Sequence, residues 1–340
     1  MIAENINNTT ASLASYLEQH IDGFRGPVSL EAFDQGQSNP TFLLKARSGN
    51  YVLRRKPPGE LLASAHAVDR EYRVLTALAD TEVPVARAYH LCEDDSIIGS
   101  MFYVMSFEEG RIFWDPALPE LDPARRRSIL EAQVGALAAI HNINVDAVGL
   151  GDYGSTGNYY ERQISRWSKQ YRSAETESIP AMEALMQWLP ANLPEDDGKR
   201  CLIHGDYRLD NLIYHPTEPR VLAVLDWELS TLGHPLADLA YLCMCMRLPE
   251  VGPLKGIGGK DPLQLGVPTE AEMMSLYCQL RDIGSIDNWT FYLAFSYFRV
   301  ASILQGVYKR AQMGNASDPS AISRDNSAPA LANMAAELMN

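Results

Sequence analysis

The sequence predicts an α+β protein in two parts, a small antiparallel-sheet lobe over residues 1–107 and a larger, mainly helical lobe over 108–340. Three observations predict it. Residues 28–55 alternate short apolar runs with turn residues, as an antiparallel meander does. From Asp122 to about residue 312 the chain reads as a succession of helices. The exception in that second part is 211–225, two short apolar runs around a turn rich in Pro, Thr and Glu.

In the first part a helix is expected near 10–21. Three strands follow at 28–34, 40–47 and 51–55, with Gly36 and the Ser-Gly-Asn of 48–50 at the two turns. Residues 61–79, "LLASAHAVDREYRVLTALA", place Val68, Tyr72, Leu75 and Leu78 at helical spacing and carry Glu71 among them. A strand pair at 87–92 and 101–107 closes this part, and Glu-Glu-Gly-Arg then breaks the pattern.

In the second part Asp122 as N-cap and Pro123 at the first helical position open a helix that runs to about His141. Further helices are expected near 159–173, 180–191, 235–247, 269–283 and 287–312. The tail after Gly314 is rich in Ser, Asp, Asn and Pro before a short Ala-rich end, which reads as a loosely attached helix.

Composition narrows the function. A chain of 340 residues with 46% apolar content can fill a core of this size. Its first twenty residues lack a basic start followed by an apolar run, so neither a signal peptide nor a lipidation site is expected. No run of about 18 apolar residues marks a membrane span. Cys92, Cys201, Cys243, Cys245 and Cys278 are scattered without CxxC spacing, which disfavours a disulfide framework or a zinc site and makes the cytoplasm the default location. A formal charge of −14 disfavours nucleic acid as a partner, because a phosphate backbone calls for a basic face.

The densest chemistry lies in "LIHGDYRLDNLIYHP" at 202–216, with the pattern His204-x-Asp206-x-x-x-x-Asn211. If the runs 211–214 and 221–225 pair antiparallel, the residue opening the first and the residue closing the second become neighbours. Asn211 and Asp226 then offer two hard oxygen ligands of the kind Mg²⁺ takes alongside phosphate and water. Asp206, outside the strand, is free to meet a substrate hydroxyl, and Arg208 could neutralise charge on a transferring phosphoryl group. The plainer alternative is a surface hairpin with polar ends.

This layout resembles the protein-kinase-like fold, in which a His-x-Asp-x-x-x-x-Asn loop is followed by a metal-binding Asp at the end of a later strand. The variant "HGD", with "LDWE" in place of Asp-Phe-Gly, resembles the aminoglycoside phosphotransferase and choline kinase family. Closer still, "GNYYERQISRW", "HGDYRLDNLIYHP" and "LDWELSTLGHPLADLAYLC" look like the kinase-like domain found ahead of the dehydrogenase in some acyl-CoA dehydrogenases, and like its free-standing bacterial relatives. The resemblance runs from about residue 25 to 310. It implies an ATP- and Mg²⁺-dependent phosphotransferase in which Asp206 is the catalytic base, Asn211 and Asp226 hold the metal, and Arg208 stands where protein kinases carry a phosphate-contacting lysine. His204 becomes a support of the loop. Glu228 either reaches a metal-bound water or is a solvated acid.

In the first lobe the resemblance implies a nucleotide site, with one departure. The turn "FDQGQSNPTF" has a single glycine and is not a Gly-x-Gly-x-x-Gly loop, but Gly36, Gln37, Ser38 and Asn39 remain candidate phosphate neighbours. The third strand reads "YVLRRKP", so the family's usual lysine is Arg54, with Lys56 on the same strand face as a rival. Glu71 matches the helix partner of that cation. Ser106 and Phe107, at the end of "FYVMSF", match the segment whose backbone meets the adenine.

The acceptor is less marked. Arg162, Arg166 and Lys169 fall at i, i+4 and i+7 of a helix, with Arg172 near them, and this basic face suits an anionic acceptor such as the phosphates of coenzyme A. An ion-paired surface helix is the bland alternative. A hydroxyacyl-CoA or related hydroxy acid derivative is thereby favoured over an aminoglycoside or a choline-type alcohol. The Gly-rich segment 251–268 is a candidate border of the acceptor site. Two readings from other classes stay open: a catalytically silent nucleotide-binding protein, and metal-dependent hydrolysis through His204, His215 and His234, which lack an HExxH spacing.

Overall fold

A computed structural model describes residues 2–33, 39–57, 67–250, 255–314 and 326–339. Gly36, Gln37 and Ser38, the start of the helix expected at 61–79, the first residues of the Gly-rich segment and much of the tail after Gly314 lie outside the described residues. The chain forms two compact units, Met1–Arg111 with Ile213–Glu228, and Ile112–Leu212 with Leu229–Asn340. The expected boundary near 107 thus has a counterpart later in the chain, where residues 213–228 group with the first unit.

The first unit is built on a five-stranded antiparallel sheet of β1 (Val28–Ala32), β2 (Thr41–Ala46), β3 (Gly49–Arg55), β4 (Ala88–Cys92) and β5 (Phe102–Ser106), in the order β1-β2-β3-β5-β4. Alternation along β3 divides its side chains between the two faces of the sheet. Leu53 joins Leu44, Phe102 and Val104 in a core with Leu13 and Leu17 of α1 (Ile2–His20), which share one helix face four residues apart, and with Ile21 just beyond its end. Arg54, opposite Thr41 on one side and Tyr103 on the other, turns the other way. There α2 (Val68–Leu78) runs by β4 and β5 and buries Val68, Glu71, Val74, Leu75 and Leu78. A hairpin of β7 (Leu212–Tyr214) and β8 (Val221–Val224) adds to this unit: Arg111 and Tyr214 exchange backbone hydrogen bonds of 2.8 Å, and Val224 N donates to Pro84 O at 2.9 Å.

The second unit is helical, with α3 (Pro123–Asn142), α4 (Tyr159–Ala174), α5 (Pro180–Ala191), α6 (Leu236–Arg247), a single turn α7 (Pro262–Leu265), α8 (Glu270–Leu280), α9 (Trp289–Gln312) and α10 (Ala328–Glu337). Asp122 caps α3 as its sequence predicts, its carboxylate accepting from Arg125 N at 3.0 Å. The long α9 is buried without a break from Phe291 to Ala301, because α4, α5, α6 and α10 pack around it. The tail helix departs from expectation. It is firmly packed, with Ala328, Leu331, Ala332 and Ala335 buried against α9 and α5, because small side chains at helical spacing let helices approach closely. The sequence reading also had no strands at β6 (Cys201–Ile203) and β9 (Thr231–Gly233), which pair antiparallel with Cys201 opposite Gly233. Among the described residues no helix is long and apolar enough to cross a membrane.

Candidate active site

In the first unit one guanidinium gathers two of the expected acids. Arg54 Nε lies 2.9 Å from Glu71 Oε2, and its Nη2 donates to Asp226 Oδ1 at 2.5 Å. The planar fork of arginine presents separate, fixed donors to the two acids, where lysine would offer a single point charge. Lys56 is occupied elsewhere, 3.6 Å from Asp69 Oδ1. Glu71, 1% exposed, also accepts from Asn39 Nδ2 at 2.9 Å and from Tyr103 Oη at 3.1 Å. Asn39, a candidate phosphate neighbour, is therefore turned inward as a support of Glu71.

Asp226 follows β8 with φ +62°, a left-handed conformation that an L-residue seldom takes outside a constrained site. Next to it Trp227 is buried and its indole N–H donates to Val224 O at 3.0 Å, which fixes the turn. The turn carries Glu228 onward, so that oxygens of Glu71, Asp226 and Glu228 all lie within 4.8 Å of one another. Glu71 is taken up by Arg54, Asn39 and Tyr103, whereas Asp226, with Glu228 close by, offers hard carboxylate oxygen of the kind Mg²⁺ takes, so the chemistry at Asp226 fits such an ion. Burial pushes the Glu71 carboxyl up to about 7, with Asp226 and Glu228 adding to it against the pull of Arg54 and Tyr103. For Arg54 burial works against the charge, but Glu71, Tyr103, Asp226 and Glu228 outweigh it and hold the guanidinium's pKa above its ordinary value.

In the second unit β6 runs straight into the His204–Asn211 loop. Asp238 of α6, 1% exposed, fastens the loop's start: its Oδ2 accepts from His204 N at 2.6 Å and its Oδ1 from Gly205 N at 2.9 Å. Behind it His141 Nε2 lies 3.3 Å from Asp238 Oδ2, and His141 Nδ1 is 2.6 Å from Tyr277 Oη. Gly205 has φ +85°, and a Cβ there would stand 2.6 Å from Leu229 O, so glycine is required. Arg299 closes the other side, donating to Gly205 O at 2.6 Å.

These contacts aim Asp206. Its Oδ1 accepts from Tyr241 Oη at 2.6 Å and lies 3.2 Å from Arg208 Nε. Asn211 Nδ2 donates to Asp206 O at 2.8 Å and to Asp206 Oδ2 at 3.2 Å. Arg208 also reaches Asp210, with Nη2 to Oδ2 at 3.2 Å. Burial works against the Arg208 charge, but Asp206 leads the groups that hold its pKa above the ordinary value. His204 is fully buried and its Nδ1 accepts from Asp206 N at 3.2 Å, the geometry of a support.

Ser106 and Phe107 stand at the end of β5. The Ser106 hydroxyl accepts from Arg87 N at 2.9 Å and is 2.5 Å from Glu108 Oε1, and Ser106 N donates to Arg87 O at 2.9 Å. Ser38 lies outside the described residues. Arg162, Arg166 and Lys169 of α4 all border one surface depression, but their surroundings differ. Arg162 donates to Thr156 O at 2.6 Å and to Gly157 O, bracing the loop before its own helix. Arg166 and Lys169 stay exposed, and with Arg162, Glu161, Ser165 and Gln170 they line that depression. Sequence reasoning assigned no role to Asp238, Tyr241, Tyr103 or Arg299. A signal for Asp238 existed: a lone acid in the apolar run "PLADLAYLCMCM" must find partners if the helix is buried.

With this geometry in view, comparison with known proteins is specific. The model of the phosphotransferase enzyme family matches residues 29–260. Acyl-CoA dehydrogenase family member 10 of Mus musculus is 50% identical over 322 residues, covering 93% of this chain and 30% of that protein. The chain thus spans under a third of the length of this relative. A crystal structure from Ralstonia eutropha JMP134, described by name as an aminoglycoside phosphotransferase, is 51% identical, with a TM-score of 0.89 over 97% of both chains. Spectinomycin phosphotransferase, solved with ADP and spectinomycin, is 12% identical with a TM-score of 0.62, over 96% of this chain and 98% of its own, and shares the fold. The architecture is accordingly the kinase-like α+β fold, a small antiparallel-sheet lobe and a larger, mainly helical one, and the chain belongs to the phosphotransferase enzyme family as a small-molecule phosphotransferase.

Proposed function

We propose that this chain moves the terminal phosphoryl group of ATP to a hydroxyl of a small molecule, with Asp206 as general base. The observation that carries the reading is the holding of Asp206: Tyr241 at 2.6 Å and Asn211 at 3.2 Å fix its carboxylate on a loop clamped by Asp238. Such an acid can align an acceptor hydroxyl and take its proton as the oxygen attacks. Arg208 offsets charge on the phosphoryl oxygens, and Arg54, steered by Glu71, meets the nucleotide's phosphates. Ser38 lies in the turn assigned to those phosphates, and Ser106 and Phe107 in the segment assigned to the adenine. Mg²⁺ held by Asn211 and Asp226 would supply further positive charge against the phosphate oxygens.

For the acceptor we favour a hydroxyacyl-CoA or related hydroxy acid derivative. Two observations support it: Arg166 and Lys169 are exposed cations on a chain of net charge −14, and the mouse relative's name joins it to the acyl-CoA dehydrogenases. Five free thiols fit the cytoplasm as location. The test is phosphoryl transfer from Mg²⁺-ATP to a panel of hydroxyacyl-CoAs, aminoglycosides and choline-like alcohols, with Asp206→Ala as control. The expected result is product on a hydroxyacyl-CoA and a loss of about 10²–10⁴-fold in the variant with nucleotide binding retained. Product on an aminoglycoside alone would refute the acceptor class, and wild-type turnover in the variant would refute the base.

A further inference from the structure

We propose that Tyr241 is a positioning residue for the transfer step, and that it designates Oδ2 of Asp206 as the oxygen that receives the acceptor's proton. The inference rests on the reading of Asp206 as base and adds to it a partner and an atom.

Asp238 and Tyr241 are three residues apart on α6 and so share one face of that helix. The first takes the backbone N–H groups of His204 and Gly205, and the second takes the side chain of Asp206, so α6 fastens three successive residues of the loop. Tyr241 is itself held rigid. It is 6% exposed, and the Arg299 guanidinium lies 5.8 Å from its ring centre while donating to Gly205 O. Its hydroxyl is a fixed feature of the wall.

A carboxylate offers about two lone-pair directions on each oxygen. Tyr241 Oη donates to Oδ1 at 2.6 Å, and the Arg208 guanidinium, 3.2 Å away with no hydrogen bond from its Nε, sets a cation against any further donor approaching that oxygen. Around Oδ2 stands Asn211 Nδ2 at 3.2 Å, an amide that also serves Asp206 O at 2.8 Å. Among the described residues no further donor stands at Oδ2, which leaves one direction for an acceptor hydroxyl. In the step, the acceptor O–H bond breaks and its proton passes to Oδ2, the acceptor oxygen bonds to the γ-phosphorus, and the bond from that phosphorus to the β,γ-bridging oxygen breaks to release ADP. Tyr241 keeps its proton throughout and prevents the carboxylate from turning.

The experiment compares wild type, Tyr241→Phe, Asp206→Asn and the double variant, measuring transfer from Mg²⁺-ATP to each acceptor of the panel and to water. Loss of a hydrogen bond to a charged group corresponds to about ten- to a hundredfold in rate. The expected result is that loss in kcat for Y241F, with KM for ATP and acceptor held within about twofold. The double variant is expected to be no slower than D206N, because the tyrosine acts only through the aspartate. A general folding defect would slow both backgrounds equally and is thereby told apart. Wild-type kcat in Y241F, a rise in KM in place of the fall in kcat, or a further loss in the double variant overturns the Tyr241 assignment and leaves the kinase reading standing. D206N turnover equal to wild type, or wild type that transfers to nothing, overturns both.

Discussion

Removing the carboxylate of Asp238 is expected to destabilise the helical unit more than almost any other single change. Asp238 is 1% exposed and receives His204 N on Oδ2 at 2.6 Å, Gly205 N on Oδ1 at 2.9 Å and His141 Nε2 at 3.3 Å. Burial alone would raise its pKa, yet His141, His204 and Gly205 hold it below the ordinary carboxylate range, so the charged form is the one the fold needs. Asp238→Ala leaves two buried backbone N–H groups without an acceptor, at about 1–3 kcal/mol each, and strips a partner from His141. A total of about 2–6 kcal/mol follows from the two N–H groups. Asp238→Asn is no rescue. The two loop N–H groups address different oxygens, so one of them must face the new amide NH₂, and a loss of at least about 2 kcal/mol is expected. Urea unfolding at neutral pH measures both, followed by tryptophan fluorescence, to which Trp114, Trp167, Trp188 and Trp289 of this unit contribute. Losses below about 1 kcal/mol in both variants would refute the assignment of Asp238 as the anchor of the loop.

Further perturbations probe the same two clusters. His141 is fully buried with its pKa lowered, first by burial, so the folded protein resists a proton that the unfolded chain accepts below about 6.5. Its contribution to stability is whole above that pH and is lost as the pH falls toward the folded value; urea midpoints from pH 6.5 down to 5 should fall less steeply in His141→Gln, and parallel slopes would count against it. Gly205→Ala forces a side chain onto φ +85° with its Cβ 2.6 Å from Leu229 O, so a loss above about 2 kcal/mol is expected, and near-native stability would show that the loop can shift. Arg54→Ala leaves Glu71 buried without its cation, at about 3–5 kcal/mol when the acid is charged. Because the folded pKa of Glu71 already stands at about 7 and rises further without Arg54, the penalty should grow from pH 5 to pH 8. A penalty independent of pH would mean that Glu71 is not the group affected.

How far the sequence reveals this molecule depends on the range of the interactions involved. The meander β1 to β3 and the helices α3, α4, α5, α6, α8 and α9 are legible, because period, caps and turn residues act within a few positions; Asp122 and Pro123 at the start of α3 are an example. β6 and β9 are three residues each and about thirty residues apart in sequence, so neither has a local signal and each is a strand only because the other is present. α10 was misjudged through its composition. Alanine-rich helices look weak in isolation, whereas Ala328, Ala332 and Ala335 are what allow close packing on α9.

The same division runs through the candidate site. Asp206, Asn211 and Asp226, proposed as base and metal ligands, are visible because such groups must be polar and one loop and one hairpin set their spacing in the sequence. What orients Asp206 is not visible, because Tyr241 and Asp238 lie on a helix buried almost all round, where the sequence shows apolar content in place of an amphipathic stripe. Arg54 is the instructive intermediate. Position on β3 identifies it, but the reason for arginine over lysine appears only with the geometry: a fork that contacts Glu71 at 2.9 Å and Asp226 at 2.5 Å in one plane of donors. An ammonium has three donors and can also bridge two acids, but it meets them from a single point, whereas the guanidinium presents a fixed planar fork to both. Arg54→Lys should therefore keep a cation at both acids and lose only the fork, so its fall in urea stability should be smaller than that of Arg54→Ala, and equal losses in the two variants would count against a role for the charge.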